Sequence, residues 1–319
     1  MKEIGGYFEL ELQRRNNEFP HANCPAFNSG RHALEFILRQ LGDKVKTVYI
    51  PYFTCDVIIE PLQRLGIEYK FYHINENLEI ANIPNLNKNE YLIANNYFGI
   101  KDSYAEVLFQ KLGSKLIIDN AQALFAPEIT GAKAIYSPRK FVGVPDGGIA
   151  YTTEERKYKL EQDYSTDRSL FLLRRIDCGP ESGYREFREN SQVLSVSPMK
   201  SMSFLTKKIL QSIDFDEILK IRRNNFRYVH RELGHVNNLN IPDMSEFICP
   251  MVYPYRTSDA LLRDKLIENK VFVATYWPNV REWCDNSDIE YRLMNEIIPI
   301  PIDQRYDFDD MDRICSLIQ

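Results

Sequence analysis

Along residues 28–152, short apolar runs alternate with amphipathic stretches of helical period. Asn28-Ser29-Gly30 is a turn and cap signal, and Ala33, Leu34, Ile37, Leu38 and Leu41 then repeat on one helical face over 31–41, closed by Gly42. The run TVYI at 47–50 reads as a short buried strand. Thr54 is placed to cap a second helix reaching about Leu65 and closed by Gly66. Strands are predicted at 68–72, 91–94, 115–118, 132–136 and 148–152, and Asp102 is predicted to cap a helix that runs to Leu112. Strands alternating with helices of about ten residues indicate an α/β fold, with a mostly parallel mixed sheet flanked by helices. In such sheets ligands sit beyond the carboxyl ends of the strands. Asn28–Arg31 opens a helix and Asp119 ends a strand, so both stand where a ligand is expected.

The second half is organised differently. Residues 153–173 read as charged and helical. Residues 174–200 carry Gly179-Pro180, Ser182-Gly183 and Ser197-Pro198 and read as a long irregular loop, of the kind that covers a site or an interface. Residues 214–233 form one long amphipathic helix. From about 247 the order is strand, helix, strand, helix, with strands at 247–255 and 296–302 and helices at 258–269 and 308–318. This gives an expected division into a large domain over 1–213 and a smaller α/β C-terminal domain over 214–319 that includes the bridging helix.

Composition narrows the classes. Hydrophobic residues make up 44% and charged residues 27% of the 319, which is ordinary for a globular protein. A net charge of -5 argues against a nucleic-acid partner, and a phosphorylated ligand would need local donors. No run of eighteen apolar residues predicts a membrane helix, and Glu3, Glu9 and Glu11 interrupt what would be a signal peptide. The cysteines at 24, 55, 178, 249, 284 and 315 form no C-x-x-C or zinc-like spacing, which points to free thiols and a cytoplasmic setting. The five histidines show no metal spacing either, so no metal is expected.

Three features carry candidate chemistry. Asp119, in KLIIDNAQALF, is a carboxylate at the end of an apolar strand; alone it would read as a turn cap. Lys140, in YSPRKFVGVPDGG, lies between a strand and a Gly-rich turn among apolar residues; alone it would read as a solvated charge. Ser29-Gly30-Arg31 presents backbone N–H groups at a helix start, which favours an anion, or is only a cap. Together they are the three anchors that pyridoxal 5′-phosphate (PLP) requires: a phosphate cradle, a carboxylate for the ring nitrogen and an amine for the aldehyde.

On these residues the chain resembles the DegT/DnrJ/StrS family of PLP-dependent sugar aminotransferases, within the aspartate-aminotransferase fold. Ser29-Gly30-Arg31 matches the family's S-G-T turn and Asp119-Asn120-Ala121-Gln122 its D-x-A-Q motif. Lys140 stands eight residues before Gly148, the last Gly of Pro145-Asp146-Gly147-Gly148, at the spacing of the family's Schiff-base lysine. NNYFG at 95–99, VATYWP at 273–278 and IIPIPIDQRYDFDDM at 297–311 resemble further segments. The resemblance implies that Lys140 and Asp119 are catalytic. It implies that Ser29, Gly30, Arg31, Thr54, Cys55, Gln122 and Ser137 also bind the cofactor, with Gln122 at the ring and Ser137 or a nearby N–H at the phosphate.

The sequence departs from the pattern at several of these positions. Cys55 follows Thr54 where an aromatic usually stacks on the ring, so Cys55, Phe53 or Tyr97 is left to fill that role, or all three are core. Ile135 stands where the phosphate-binding Ser is expected, with Ser137 two residues on, and Arg31 replaces the threonine. No equivalent of the partner-donated Asn is evident around 196–203. Aromatics at 164, 171, 184 and 187 could serve an interface or a lid, and Arg174, Arg175, Arg185 and Arg188 could meet a diphosphate or be solvated. The implied function is transfer of an amino group from an amino acid to a nucleotide-linked keto-sugar, in surface-polysaccharide or related synthesis, by a homodimer with its site at the interface. The alternatives are a non-catalytic relative that binds a ligand or partner, and a PLP enzyme of another reaction type.

Overall fold

The computed structural model describes residues 4–15, 19–153 and 159–319. In chain order the elements begin with β1 (Ala26–Phe27), α1 (Gly30–Leu41), β2 (Thr47–Pro51), α2 (Ile59–Arg64) and β3 (Glu68–Tyr72). Next come β4 (Glu90–Asn95), α3 (Asp102–Leu112), β5 (Leu116–Asn120), β6 (Lys133–Tyr136) and β7 (Gly148–Tyr151). Four helices follow: α4 (Leu170–Cys178), α5 (Tyr184–Val196), α6 (Phe204–Ser212) and α7 (Phe215–Leu233). The chain ends with β8 (Tyr253–Arg256), α8 (Leu262–Glu268), α9 (Val280–Trp283), α10 (Ile289–Glu296), β9 (Ile297–Ile300) and α11 (Phe308–Ile318).

The first seven strands form one sheet in the order β1-β7-β6-β5-β4-β2-β3. The run from β3 through β2, β4 and β5 to β6 is parallel; β7 pairs antiparallel with β6, and β1 pairs antiparallel with β7 at the edge. The expected mostly parallel mixed sheet is therefore present. Alternation along each strand sends side chains to two cores. Val48, Ile50, Tyr91, Ile93, Ile117, Ile135 and Ala150 meet Ala33, Leu34, Ile37, Leu38 and Leu41 of α1 on one face. Leu92, Ala94, Leu116, Ile118, Ala134 and Tyr136 face a second core, with Leu108 of α3 and Phe226 and Val229 of α7. Each fully buried aliphatic side chain contributes roughly 1.5–3 kcal/mol, so both faces hold the sheet.

Several sequence expectations change. The segment 174–200 is not a long irregular loop: α4 and α5 occupy most of it, joined by a short turn. Phe171 and Phe187 pack edge-on at 5.6 Å, and Asn190, buried on the helix, donates to the Pro145 carbonyl at 2.6 Å. A polar residue fills a core position there, which hides the helical period. The helix expected over 153–173 begins only at Leu170, after a 3₁₀ turn at Thr166–Arg168, and residues 154–158 lie outside the described residues. Thr54 caps nothing, because the chain first makes a 3₁₀ turn over Asp56–Ile58 before α2. Asp102 is the first residue of α3, and its carboxylate accepts from Asn96 Nδ2 at 2.6 Å and from the Ile248 N–H at 2.8 Å, away from the helix end. The strand expected over 247–255 shortens to β8, antiparallel to β9.

Candidate active site

The face of the sheet that carries α1 also carries the chemistry. Tyr91 and Ile93 of β4, Ile117 of β5 and Ile135 of β6 point into the α1 core. Two-residue alternation then places Asn95, Asp119 and Ser137 on that same side, at the carboxyl ends of three neighbouring parallel strands. The start of α1 comes to the same place. An ideal Cβ on Gly30 would lie 3.8 Å from Ser137 Cβ.

Gly148 explains how that helix start is held. A Cβ there would fall 2.1 Å from the Ser29 carbonyl oxygen and 2.5 Å from the Gly30 nitrogen, so only glycine lets β7 run against the turn. Asp146, just before, accepts from the Ser203 N–H and hydroxyl, each at 2.8 Å, and from the Thr206 hydroxyl, which ties the turn to α6. Ser203 and Met202 are buried there, in the stretch that shows no partner-donated Asn.

Ser29 is the N-cap of α1, its oxygen accepting from the His32 N–H at 3.3 Å. His32 Nε2 faces the Ser197 carbonyl at 3.0 Å, which only a donor can satisfy. Its Nδ1 is therefore the acceptor for the Ser29 hydroxyl at 2.8 Å. The Ser29 proton is thus committed, and only the backbone of Ser29–Gly30 remains to meet an anion. Arg31 is committed too. Its Nη1 sits 2.7 Å from both oxygens of Glu60, so it neither points to solvent nor stands free for a phosphate. Ser137 is different: among the described residues its hydroxyl has no hydrogen-bond partner, and it lies beside the Gly30 turn.

Asp119 closes β5. Burial pushes its carboxyl above the ordinary range, while the Ala121 N–H, donating at 2.8 Å, and the Lys140 charge pull the other way. Lys140 ends the tight turn Pro138–Lys140 directly after β6, and its side chain is exposed. The next carbonyl, Phe141 O, accepts from Gln304 Nε2 at 2.9 Å and Arg222 Nη2 at 3.2 Å, so the C-terminal half fixes the backbone that presents the amine. Cys55 belongs here as well. Burial raises its thiol pKa and the Lys140 charge lowers it, which places the two groups within electrostatic reach. Phe53 and Tyr97 do not: they pack on each other and on Trp277 in the opposite core, so neither fills the stacking role. Thr54 is buried, and its hydroxyl accepts from Asn95 Nδ2 at 2.9 Å.

Gln122 Oε1 accepts from the Phe98 N–H at 2.9 Å, which leaves Nε2 as a buried donor with no partner. Asn95 Oδ1 is a buried acceptor in the same state. Such groups are costly unless a ligand meets them. Asn95 was legible only as part of NNYFG, and Tyr276, whose phenol feels the Cys55 thiol, only as part of VATYWP. Nothing in the sequence marked Arg139, whose Nε is also buried without a partner.

The arginines expected near a diphosphate divide. Arg174 pairs with Glu186 at 2.8 Å and Arg185 reaches Glu186 and Glu189 at 3.5 Å. Arg175 instead lines a cavity of about 600 Å³ with Tyr184, Lys270, Tyr306, Arg305 and Arg313. That cavity does not include Lys140. Among the described residues no group of three metal-binding side chains is found, and no helix is long and apolar enough to cross a membrane. The described cysteines are free.

A scan against protein-family models finds no match, and a search of curated proteins finds none. Solved structures do match. A DegT DnrJ EryC1 StrS aminotransferase from Brucella abortus superposes with a TM-score of 0.63 at 14% identity, over 92% of this chain and 84% of that one. DesI in the presence of its TDP-sugar product gives 0.61 at 13% identity, over 92% and 79%. The Streptococcus pneumoniae protein Spr1654 in its PLP form gives 0.61 at 16%, over 92% and 85%. At these identities the likeness is one of architecture. The chain has the fold of these aminotransferases.

Proposed function

We propose that the protein is a PLP-dependent aminotransferase that moves an amino group from an amino acid to a nucleotide-linked keto-sugar. The observation that carries the reading is the convergence of Asp119, Lys140, Ser137 and the Gly30 turn at one end of one sheet face. The unpartnered Gln122 Nε2 and Asn95 Oδ1 fit a polar ligand at that end of the sheet. When bound, PLP supplies an electron-withdrawing ring and an aldehyde that exchanges for an amine.

Each residue has a task there. Asp119 would hold a proton on the ring nitrogen; burial, which disfavours its charge, makes a cationic partner correspondingly favourable. Lys140 would hold the cofactor's aldehyde carbon and, when its amine is free, would move a proton between the donor's α-carbon and that former aldehyde carbon. Its exposed side chain leaves the amine free to swing between these positions. Gln122 Nε2 would donate to the oxygen borne by the ring and Cys55 would pack against the ring, while Thr54 positions Asn95. Ser137 and the N–H groups at the start of α1 take the phosphate, the arrangement expected of a helix N-terminus.

The acceptor class rests on the fold relatives, of which DesI is seen with a TDP-sugar product. In the cavity of about 600 Å³, Lys270 is paired with Glu181 and Arg305 with Asp303, which leaves Arg175 and Arg313 to meet a nucleotide's phosphates. A cytoplasmic homodimer in surface-polysaccharide synthesis, with the large domain over 1–213 and the small one over 214–319, completes the reading. Leu170, Leu173, Ile176, Val193 and Val196 are exposed on α4 and α5, as a face for a second copy requires.

The test is a half-reaction. Protein loaded with PLP is expected to release 2-oxoglutarate when glutamate is added, and Lys140→Ala is expected to lose at least about 100-fold in rate. Lys140→Ala turning over near the wild-type rate would sink the reading, and a cleft that takes no PLP would favour a non-catalytic ligand binder.

A further inference from the structure

Arg139 has an environment that the roles above leave unexplained. It directly precedes Lys140 in the turn Pro138–Lys140. Its Nε is buried with no partner, and among the described residues its one side-chain hydrogen bond is a long one, from Nη2 to the Ser191 hydroxyl at 3.3 Å. The guanidinium stands 5.9 Å from the Phe187 ring centroid, at the far limit of a cation–π contact. Nearby arginines have their own carboxylates: Arg31 is on Glu60 at 2.7 Å, and Arg168 on Asp163 at 2.6 Å. Among the described residues Arg139 has no ion-pair partner of its own. Burial, then the charges of Arg31 and Arg168, push its pKa down to about 10, opposed by Asp146. The Asp146 oxygens are engaged by Ser203 and Thr206.

A half-buried guanidinium with its Nε fully buried, set among like charges and with no counter-ion among the described residues, is unfavourable. Its planar fork suits a phosphate, to which it can donate twice. Two residues upstream stands Ser137 with a hydroxyl that no neighbour among the described residues uses, beside the Gly30 turn that starts α1. One short turn thus carries a neutral donor next to a helix start and a cation without an anion.

We propose that Arg139 is the charged anchor of the ligand's phosphate, acting with Ser137 and the start of α1. The proposal deepens the cofactor reading and rests on it for the identity of the phosphate as that of PLP. It accounts for how a site with Ile135 in place of a serine, and with Arg31 diverted to Glu60, still meets a dianion.

The experiment titrates PLP and pyridoxal, which lacks the phosphate, into wild type, Arg139→Met and Arg139→Lys, followed by absorbance. Melting temperatures of the cofactor-free proteins are taken with and without inorganic phosphate. Arg139→Met is expected to weaken PLP by on the order of 10- to 100-fold while leaving pyridoxal unchanged. Arg139→Lys, which keeps the charge and loses the fork, is expected between the two. The cofactor-free Met variant is expected to melt at or above wild type, and to lose the stabilisation that phosphate gives wild type. Equal losses for PLP and pyridoxal, or a PLP-to-pyridoxal ratio like that of wild type, would overturn the proposal. Should the Met variant not fold, the ratio in the Lys variant decides: a fall supports the proposal, the wild-type ratio overturns it. A wild type that binds no PLP would overturn the cofactor reading, and the phosphate arm would then judge Arg139 alone: equal stabilisation of wild type and variant counts against it.

Discussion

Asp119 stands at an unfavourable place for a carboxylate, and that cost bears on its role. Its pKa is raised in the folded, unliganded protein, so the charged form is disfavoured there and the group subtracts from stability as pH rises from about 3.8 through the raised value. Asp119→Asn is therefore expected to melt at or above wild type near neutral pH without cofactor. The same change is expected to weaken PLP binding by about 2–5 kcal/mol, because the ring cation loses its partner. Calorimetry and a PLP titration on one preparation check both; a variant that melts well below wild type and binds PLP normally would mark Asp119 as structural. At this scale the sequence showed what the strand ends present, since a strand-terminal Asp and a Lys in the next strand–turn unit are local features. It could not show what side chains do with distant partners. Arg31 is held by Glu60, 29 positions away, and Ser29 by a histidine whose orientation depends on Ser197. Both looked available in the sequence and are not.

The element scale shows what holds the cradle. The C-terminal end of α5 is fastened to α1 and α2 by three contacts. Ser195 donates to Glu60 at 2.8 Å, Arg64 donates to the Ser195 carbonyl at 3.3 Å, and His32 donates to the Ser197 carbonyl at 3.0 Å. Burial, with the Arg64 charge, lowers the His32 pKa to about 4. The unfolded chain takes up that proton near pH 6.5 and the folded chain does not. The stability that His32 contributes is therefore complete above about 6.5 and is lost as pH falls toward 4. Between pH 7 and pH 5 the expected loss is about 2 kcal/mol, seen as a drop in urea midpoint that His32→Gln largely removes. A wild type and variant that lose stability in parallel over this window would contradict the assignment. α5 itself was not legible, because Arg185, Glu186, Arg188 and Glu189 make most of its surface polar and Asn190 takes a core position through the Pro145 carbonyl. Gly-Pro and Ser-Gly steps at its borders completed the appearance of a loop. The strands, by contrast, were legible almost to the residue, since buried parallel strands are short apolar runs with sharp ends.

For the whole molecule, the mostly parallel sheet with helices on both faces follows from features the sequence displays, namely apolar runs, helical periodicity and glycine punctuation, whereas the strand order and the edge strand β1 do not. The C-terminal part was less legible, because β8 and β9 have four residues each and α9 is a single turn of four. What unites the halves is visible at Phe141, whose carbonyl is held by Arg222 and Gln304 from the second half while Lys140 stands just before it. The central claim is that this amine carries the cofactor. Incubating the protein with PLP, reducing with borohydride and mapping the peptides tests it most directly. The account predicts one pyridoxyl adduct, on Lys140, absent from Lys140→Ala; an adduct on any other lysine, or none at all, would contradict it.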